Sequence, residues 1–88
     1  MTVLTMIKME RARQNKKWGV QHHSNMEWLS ILVEEVGEVG KALCEYHLQS
    51  KPGVTSQTII DELVQVAAVA VAWIEDRFGK SHNIQIVR

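Results

Sequence analysis

Apolar residues recur at helical spacing in three stretches of the chain, separated by turn signals. In the first, Val3, Met6, Ile7 and the aliphatic stems of Arg11 and Arg13 follow an i, i+3, i+4 pattern. It predicts a helix over roughly residues 2–17, stopped near Trp18-Gly19 because glycine is a common helix terminator. The second opens at Ser24-Asn25-Met26-Glu27, a capping box in which the serine oxygen meets an orphan amide and Glu27 reaches back. Trp28, Leu29, Leu32, Val36, Val39, Leu43 and Tyr46 then form an apolar stripe, which ends before the turn Ser50-Lys51-Pro52-Gly53. The third begins at Thr55 or Ser56 and runs to about Phe78, with Gly79 as its stop.

The middle of this third helix, Val66 to Trp73, is apolar on every face. A helix of that kind has to be buried all round. Two other helices of similar length cannot surround it, so part of its surface is expected to meet another subunit. Valine-rich composition also suits a strand, but about 24 residues without an internal Gly or Pro favour helix. Ile84-Gln85-Ile86 reads as a weak strand or an extended arm. The fold class is therefore all-α: residues 1–88 form one domain, a three-helix subunit that builds four-helix-bundle cores by oligomerisation.

At 88 residues and 10.0 kDa, a lone domain buries only about 60 % of its unfolded surface and is marginally stable. The single cysteine, Cys44, cannot form an internal disulfide; it reads as a small buried apolar residue in a reducing cytoplasm. Apolar residues at 45 % and charged residues at 23 % exclude intrinsic disorder. Ten basic residues balance ten acidic ones, so no global field favours a nucleic-acid polymer or an anionic membrane. The distribution is uneven. Residues 1–17 carry a net +4 and residues 27–76 a net −7, as if a cation were held centrally and an anion met from the flanks. No apolar h-region of a signal peptide is visible, and the longest apolar run, Val66 to Ile74, is about half of what spans a bilayer, so a soluble protein is expected.

The chemistry concentrates in Glu34-Glu35-Val36-Gly37-Glu38. At 100° per residue, Glu34 and Glu38 are an i, i+4 pair and Glu35 and Glu38 an i, i+3 pair, so all three project from one face of a single turn. Like charges at these spacings destabilise a helix by a few tenths of a kcal/mol each unless a cation offsets them. Carboxylate oxygens suit hard cations such as Mg²⁺, which keep several waters and engage phosphates. Gly37 and Gly40 each cost roughly 1 kcal/mol in a helix interior, which is easier to understand if another backbone or a ligand comes close there. On the third helix Asp61-Glu62 precedes Gln65 by one turn, and an antiparallel packing could face Glu62 toward Glu35 and Glu38. The plain alternative is a solvated acidic stripe, against which the flanking Leu32, Val36, Val39 and Leu43 weigh.

Glu34-Glu35-x-x-Glu38, then 23 residues, then Glu62-x-x-Gln65 resembles the EExxE…ExxD signature of the MazG-like all-α nucleoside triphosphate pyrophosphohydrolases. Lys17-Trp18-Gly19, Leu32 to Glu38 and Asp61 to Val66 look like family blocks in the family's order, spanning roughly residues 10–76. Gln65 departs from the pattern, which has Asp there; it offers a weaker neutral oxygen, and Asp61 could share its load. The resemblance implies hydrolysis of a (deoxy)nucleoside triphosphate to monophosphate and pyrophosphate, in the manner of nucleotide-pool cleansing. It also implies Mg²⁺, with Mn²⁺ able to substitute, held by Glu35, Glu38, Glu62, Gln65 and Asp61, and a homodimer or homotetramer. Glu34, Glu35 and Glu38 are the catalytic candidates, with Glu34 or Glu35 as base; Lys16, Lys17, Trp18, Arg77 and Lys80 are the substrate contacts.

Other residues carry less. Trp28 and Trp73 read as core or interface, and Gln14 and Asn15 could meet a base edge. His22 and His23 lie in a loop where they could touch phosphate or metal, but no third ligand stands at metal spacing. No Glu-x-x-His pair supports a di-iron bundle, and no Gly-Lys-Ser/Thr follows Gly53, so there is no phosphate loop. The competing reading from another class is a non-catalytic helical module for nucleotide sensing or protein interaction, kept alive by Gln65.

Overall fold

A computed structural model describes residues 1–85, and among these the chain is all-helical: α1 (Val3–Trp18), α2 (Asn25–His47) and α3 (Ser56–Phe78). Each start has a local cause. Thr2 caps α1 by accepting from the Thr5 amide. Ser24 and Glu27 close the capping box of α2 in both directions, at 3.1 and 2.9 Å. Thr58 opens α3 by accepting from the Thr55 amide at 3.1 Å. Gly19 ends α1 at φ +74° and Gly53 turns the α2–α3 connection at φ +86°, left-handed values that a side chain resists. Gly79 stops α3 differently. It keeps right-handed helical angles, and the chain leaves through turns over residues 79–83. No strand forms among the described residues; Ile84 and Gln85 are irregular and Ile86 lies outside them.

α3 is the central helix. It packs against both α1 and α2, whose backbones do not approach each other. The core is small: Trp28 at 3 % exposure, Val69 and Ala72, with Ile31, Leu32 and Trp73 around them. Ala68 and Ala42 are buried as well, and the alanines let backbones come close. Arg11 is the most buried residue of α1, its stem on the apolar stripe as its spacing predicts. Cys44 is exposed, against expectation, because it falls on the side of α2 turned away from α3. By length and composition α3 also passes as a membrane-crossing helix, which the nine-residue run understates because flanking Ile and Leu residues extend the apolar window.

Asp76, near the end of α3, fastens the connection between α1 and α2. Its Oδ2 accepts from the Trp28 indole at 2.7 Å and the His23 amide at 3.0 Å, and its Oδ1 accepts from His22 Nδ1 at 2.7 Å. The His23 ring stands edge-on to Trp28, 4.8 Å away. A second indole bond, from Trp73 to Asn25 Oδ1 at 2.8 Å, ties α3 to the first turn of α2. Burial alone would raise the Asp76 carboxyl; the three donors outweigh it and hold it at about 2.

The folded carboxyl is thus more acidic than the unfolded one, so its stabilisation is present above the ordinary aspartate value and disappears as pH falls through about 2. For a side chain only 9 % exposed, that difference is worth about 2 kcal/mol at neutral pH. Asp76→Asn is expected to cost about that much at pH 7 and progressively less between pH 4 and pH 2, as measured by urea unfolding across that range.

Candidate functional site

A cleft of about 1130 Å³ opens between α1 and α2 over α3, where the outer helices stand apart. Its walls come from the C-terminal half of α1, the loop through His23, Trp28 to Glu35 of α2, and Gln65 to Asp76 of α3. Val69 and Ala72 line it from α3, and Ile31 and Trp28 from α2.

Glu35 projects into this cleft, and Gln65 lines it from α3. Glu35 and Glu62 are half-buried, and each has a carboxylate oxygen that is fully buried without a hydrogen-bond partner. Burial pushes the Glu35 carboxyl up first, and the negative fields of Glu62, Glu38, Glu10 and Glu34 push it further. Glu62 is raised by burial and by Glu38 and Asp61, with Lys41 opposing. The antiparallel packing of α2 on α3 therefore brings Glu35, Glu38 and Glu62 within electrostatic reach of one another, as the spacing predicts. Unpartnered buried carboxylate oxygens under mutual repulsion are what a cation would relieve.

The other predicted ligands stand further out. Glu34 and Glu38 are exposed, and so is Asp61, which accepts from Gln57 at 2.8 Å on its own helix. Among the described residues no three His, Cys, Asp or Glu side chains close to metal-binding distance. The donor set present is two half-buried carboxylates with an exposed third. That suits an ion which keeps waters and takes its remaining oxygens from a substrate, and does not suit a fully enclosing cage.

Trp18 and Lys80 line the cleft, as does Arg77, whereas Lys16 and Lys17 do not. Lys17 places its ammonium 4.6 Å from the centre of the Trp18 ring, with the Arg13 guanidinium 6.0 Å from the same ring. A base stacking on that side of Trp18 has to displace Lys17. Trp28 is core, and its polar edge serves Asp76.

Two groups went unassigned in the sequence. Glu10 of α1 takes Arg13 in a two-pronged ion pair at 2.7 and 2.9 Å and Gln14 at 3.0 Å; chiefly through the Arg13 bond its carboxyl is held below the usual range. The i, i+3, i+4 spacing of these residues contained that signal. Arg11, 8 % exposed, donates to Gln14 at 3.2 Å and to Glu75 at 3.4 Å, and its Nε is buried without a partner. Its contact with Glu75, across 64 positions, had no local signal.

Comparison with protein-family models, curated proteins and solved structures found no match for this chain.

Because the folded Glu35 and Glu62 favour their neutral forms, their ionisation costs stability. The penalty is absent below the ordinary carboxylate range and grows as pH rises through the elevated folded values. Glu35→Gln and Glu62→Gln are accordingly expected to melt a few degrees above wild type at pH 8 without metal, and no higher at pH 4. Millimolar Mg²⁺ should raise the wild-type melting temperature at pH 8 and leave both variants where they are. Calorimetric melts at the two pH values check this.

Proposed function

We propose that the protein is an enzyme that hydrolyses a nucleoside triphosphate, by attack of water at the α-phosphorus, to the monophosphate and pyrophosphate. The observation that carries this reading is the pair of half-buried carboxylates, Glu35, which lines a cleft of nucleotide size, and Glu62 on α3, each with an orphaned buried oxygen. The MazG-like pattern of Glu34-Glu35-x-x-Glu38 and Glu62-x-x-Gln65 supports it. Glu35 and Glu62 would hold Mg²⁺, with the exposed Glu38 completing the set and the Gln65 amide oxygen nearby in the wall. When bound, the ion supplies charge neutralisation on phosphate oxygens and a more acidic water. Of the two candidate bases, Glu35 lines the cleft and Glu34 does not, so Glu35 is placed to take the proton from the attacking water. Lys80 and Arg77 meet phosphate oxygens from the cleft wall.

The working assembly is a pair of copies joined into a four-helix core. Leu29, Val33, Val36, Gly40 and Leu43 recur at four- and three-residue intervals on the flank of α2 opposite Glu34 and Glu38. Val33 and Val36 are more than half exposed. A Cβ added at Gly37 or Gly40 would meet nothing, so the close approach those glycines permit is not made within the subunit. The accessible surface, 6319 Å², exceeds the roughly 5200 Å² of a compact monomer of this mass by more than the roughly 800 Å² that each partner buries in a standard interface. Val33→Glu/Val36→Glu is expected to convert a dimer to a monomer in sedimentation equilibrium; an unchanged mass removes this face from the interface.

Turnover decides the reaction. Incubated with Mg²⁺ and each common ribo- and deoxyribonucleoside triphosphate, the protein is expected to release monophosphate and pyrophosphate together, read by phosphorus NMR. Glu35→Gln and Glu38→Gln should lower the rate by about 100-fold or more. Diphosphate with orthophosphate would sink attack at the α-phosphorus. No turnover at all favours the second reading, a non-catalytic nucleotide-sensing module. Gln65, neutral where the pattern has Asp, is the observation behind it, and Gln65→Asp then becomes the variant to make.

A further inference from the structure

His22 has no task in the reading above, yet its ring is fixed with unusual economy. The side chain is 78 % exposed at the cleft wall, while its Nδ1 donates at 2.7 Å to Asp76, a carboxylate only 9 % exposed. Asp76 is itself immobilised by the Trp28 indole and the His23 amide on its other oxygen. The ring is thereby anchored at one nitrogen, and Nε2, without a partner among the described residues, is its free function. With Nδ1–H committed to the carboxylate, Nε2 is the nitrogen left to meet a ligand, and it donates when the ring carries its second proton.

The surroundings point to the same chemistry. Arg77 and Lys80 follow Asp76 in the chain and line the same cleft, and Arg13 does so from α1. Trp18, the aromatic wall at this end, already holds Lys17 against its ring. Trp28, through which α2 is joined to Asp76, precedes Glu35 by seven residues, about 10 Å along the helix. Glu35 and His22 line the same cleft, the one on α2 and the other at the end nearest the α3 C-terminus.

We propose that this mouth of the cleft is a phosphate subsite, in which His22 Nε2, aimed by Asp76, donates to the outer phosphates alongside Arg77 and Lys80. The ligand chemistry is a pyrophosphoryl group, whether free or as the tail of a nucleotide. The proposal deepens the hydrolase reading, on which it rests for the direction of the chain, but its test needs neither turnover nor metal.

The experiment titrates the ¹⁵N-labelled protein in EDTA with inorganic pyrophosphate, a nucleoside monophosphate, and a nucleoside. Histidine ring nitrogens are read by long-range ¹H–¹⁵N correlation and affinity by calorimetry. Pyrophosphate should move His22 saturably to a state with both nitrogens protonated, the nucleoside should leave it in place, and the monophosphate should bind more weakly than pyrophosphate. His22→Ala should weaken pyrophosphate binding about tenfold, as expected for one charge-assisted hydrogen bond. His22→Gln, which can still donate, should recover part of it. Both variants keep the buried core, since the substituted side chain is exposed; loss of the bond to Asp76 in His22→Ala is expected to lower the melting temperature, so affinities are compared well below the transition. Equal pyrophosphate affinity in wild type and His22→Ala, no binding at all, or an equal response to the nucleoside overturns the proposal. A protein that binds pyrophosphate through His22 but turns over no nucleotide fails the hydrolase reading alone.

Discussion

One buried carboxylate, Asp76, fixes how the three helices relate. α1 and α2 are joined by a short loop but do not pack on each other, so each is positioned only through α3. Without a tie at the loop, their separation at this end would be free. Asp76 supplies the tie: a loop amide, a loop imidazole and the core indole of α2 all converge on it. The cleft exists because this fastening spaces the helices at their loop end while leaving the space between them unfilled. The carboxylate pair and the cationic mouth are both defined relative to it.

The polar economy of the cleft runs in two directions. Asp76 is over-supplied with donors and strongly acidic. Glu35 and Glu62 are under-supplied and weakly acidic. The same burial that destabilises charge at each is compensated at one end by fixed protein hydrogens, while at the other the buried oxygens have no hydrogen-bond partner among the described residues and only Lys41 offsets the charge of Glu62. A protein gains no stability from the second arrangement, and such arrangements persist where a ligand completes them. Glu10 and Arg13 sharpen the contrast, since a paired, fully ionised carboxylate on α1 keeps pressing on Glu35 across the gap.

Helix limits were almost wholly legible, because caps, glycines and the one proline are local signals. The capping box at Ser24, the turn through Gly53 and the end at Phe78 all stand within a residue or two of where the chain places them. The acid pair across α2 and α3 was legible for a different reason: helical period fixes faces, and antiparallel packing then leaves few registers. What could not be read were contacts between residues far apart in sequence. Trp28 and Asp76 lie 48 positions apart, and Arg11 and Glu75 64 apart. Cys44 was misread because composition sets how often a thiol is buried, whereas its place on the wheel of α2 decides this case. Gly37 and Gly40 pointed to a close approach that the isolated subunit does not contain.

That α1 and α2 meet only through α3 has a mechanical consequence. α1 meets the rest of the fold only through α3, where Val3, Met6 and Ile7 line a small apolar pocket with Ile60, Leu63 and Val64 and Arg11 pairs with Glu75. The free energy needed to lift it from α3 is correspondingly smaller than that needed to separate α2, whose indole sits at the centre of the core. None of the contacts between α2 and α3 runs through α1, so the α2–α3 hairpin that carries Glu35 and Glu62 does not depend on it. The cleft wall that carries Trp18 and Arg13 thus depends on the α1–α3 contact alone, whereas the wall that carries Glu35 does not.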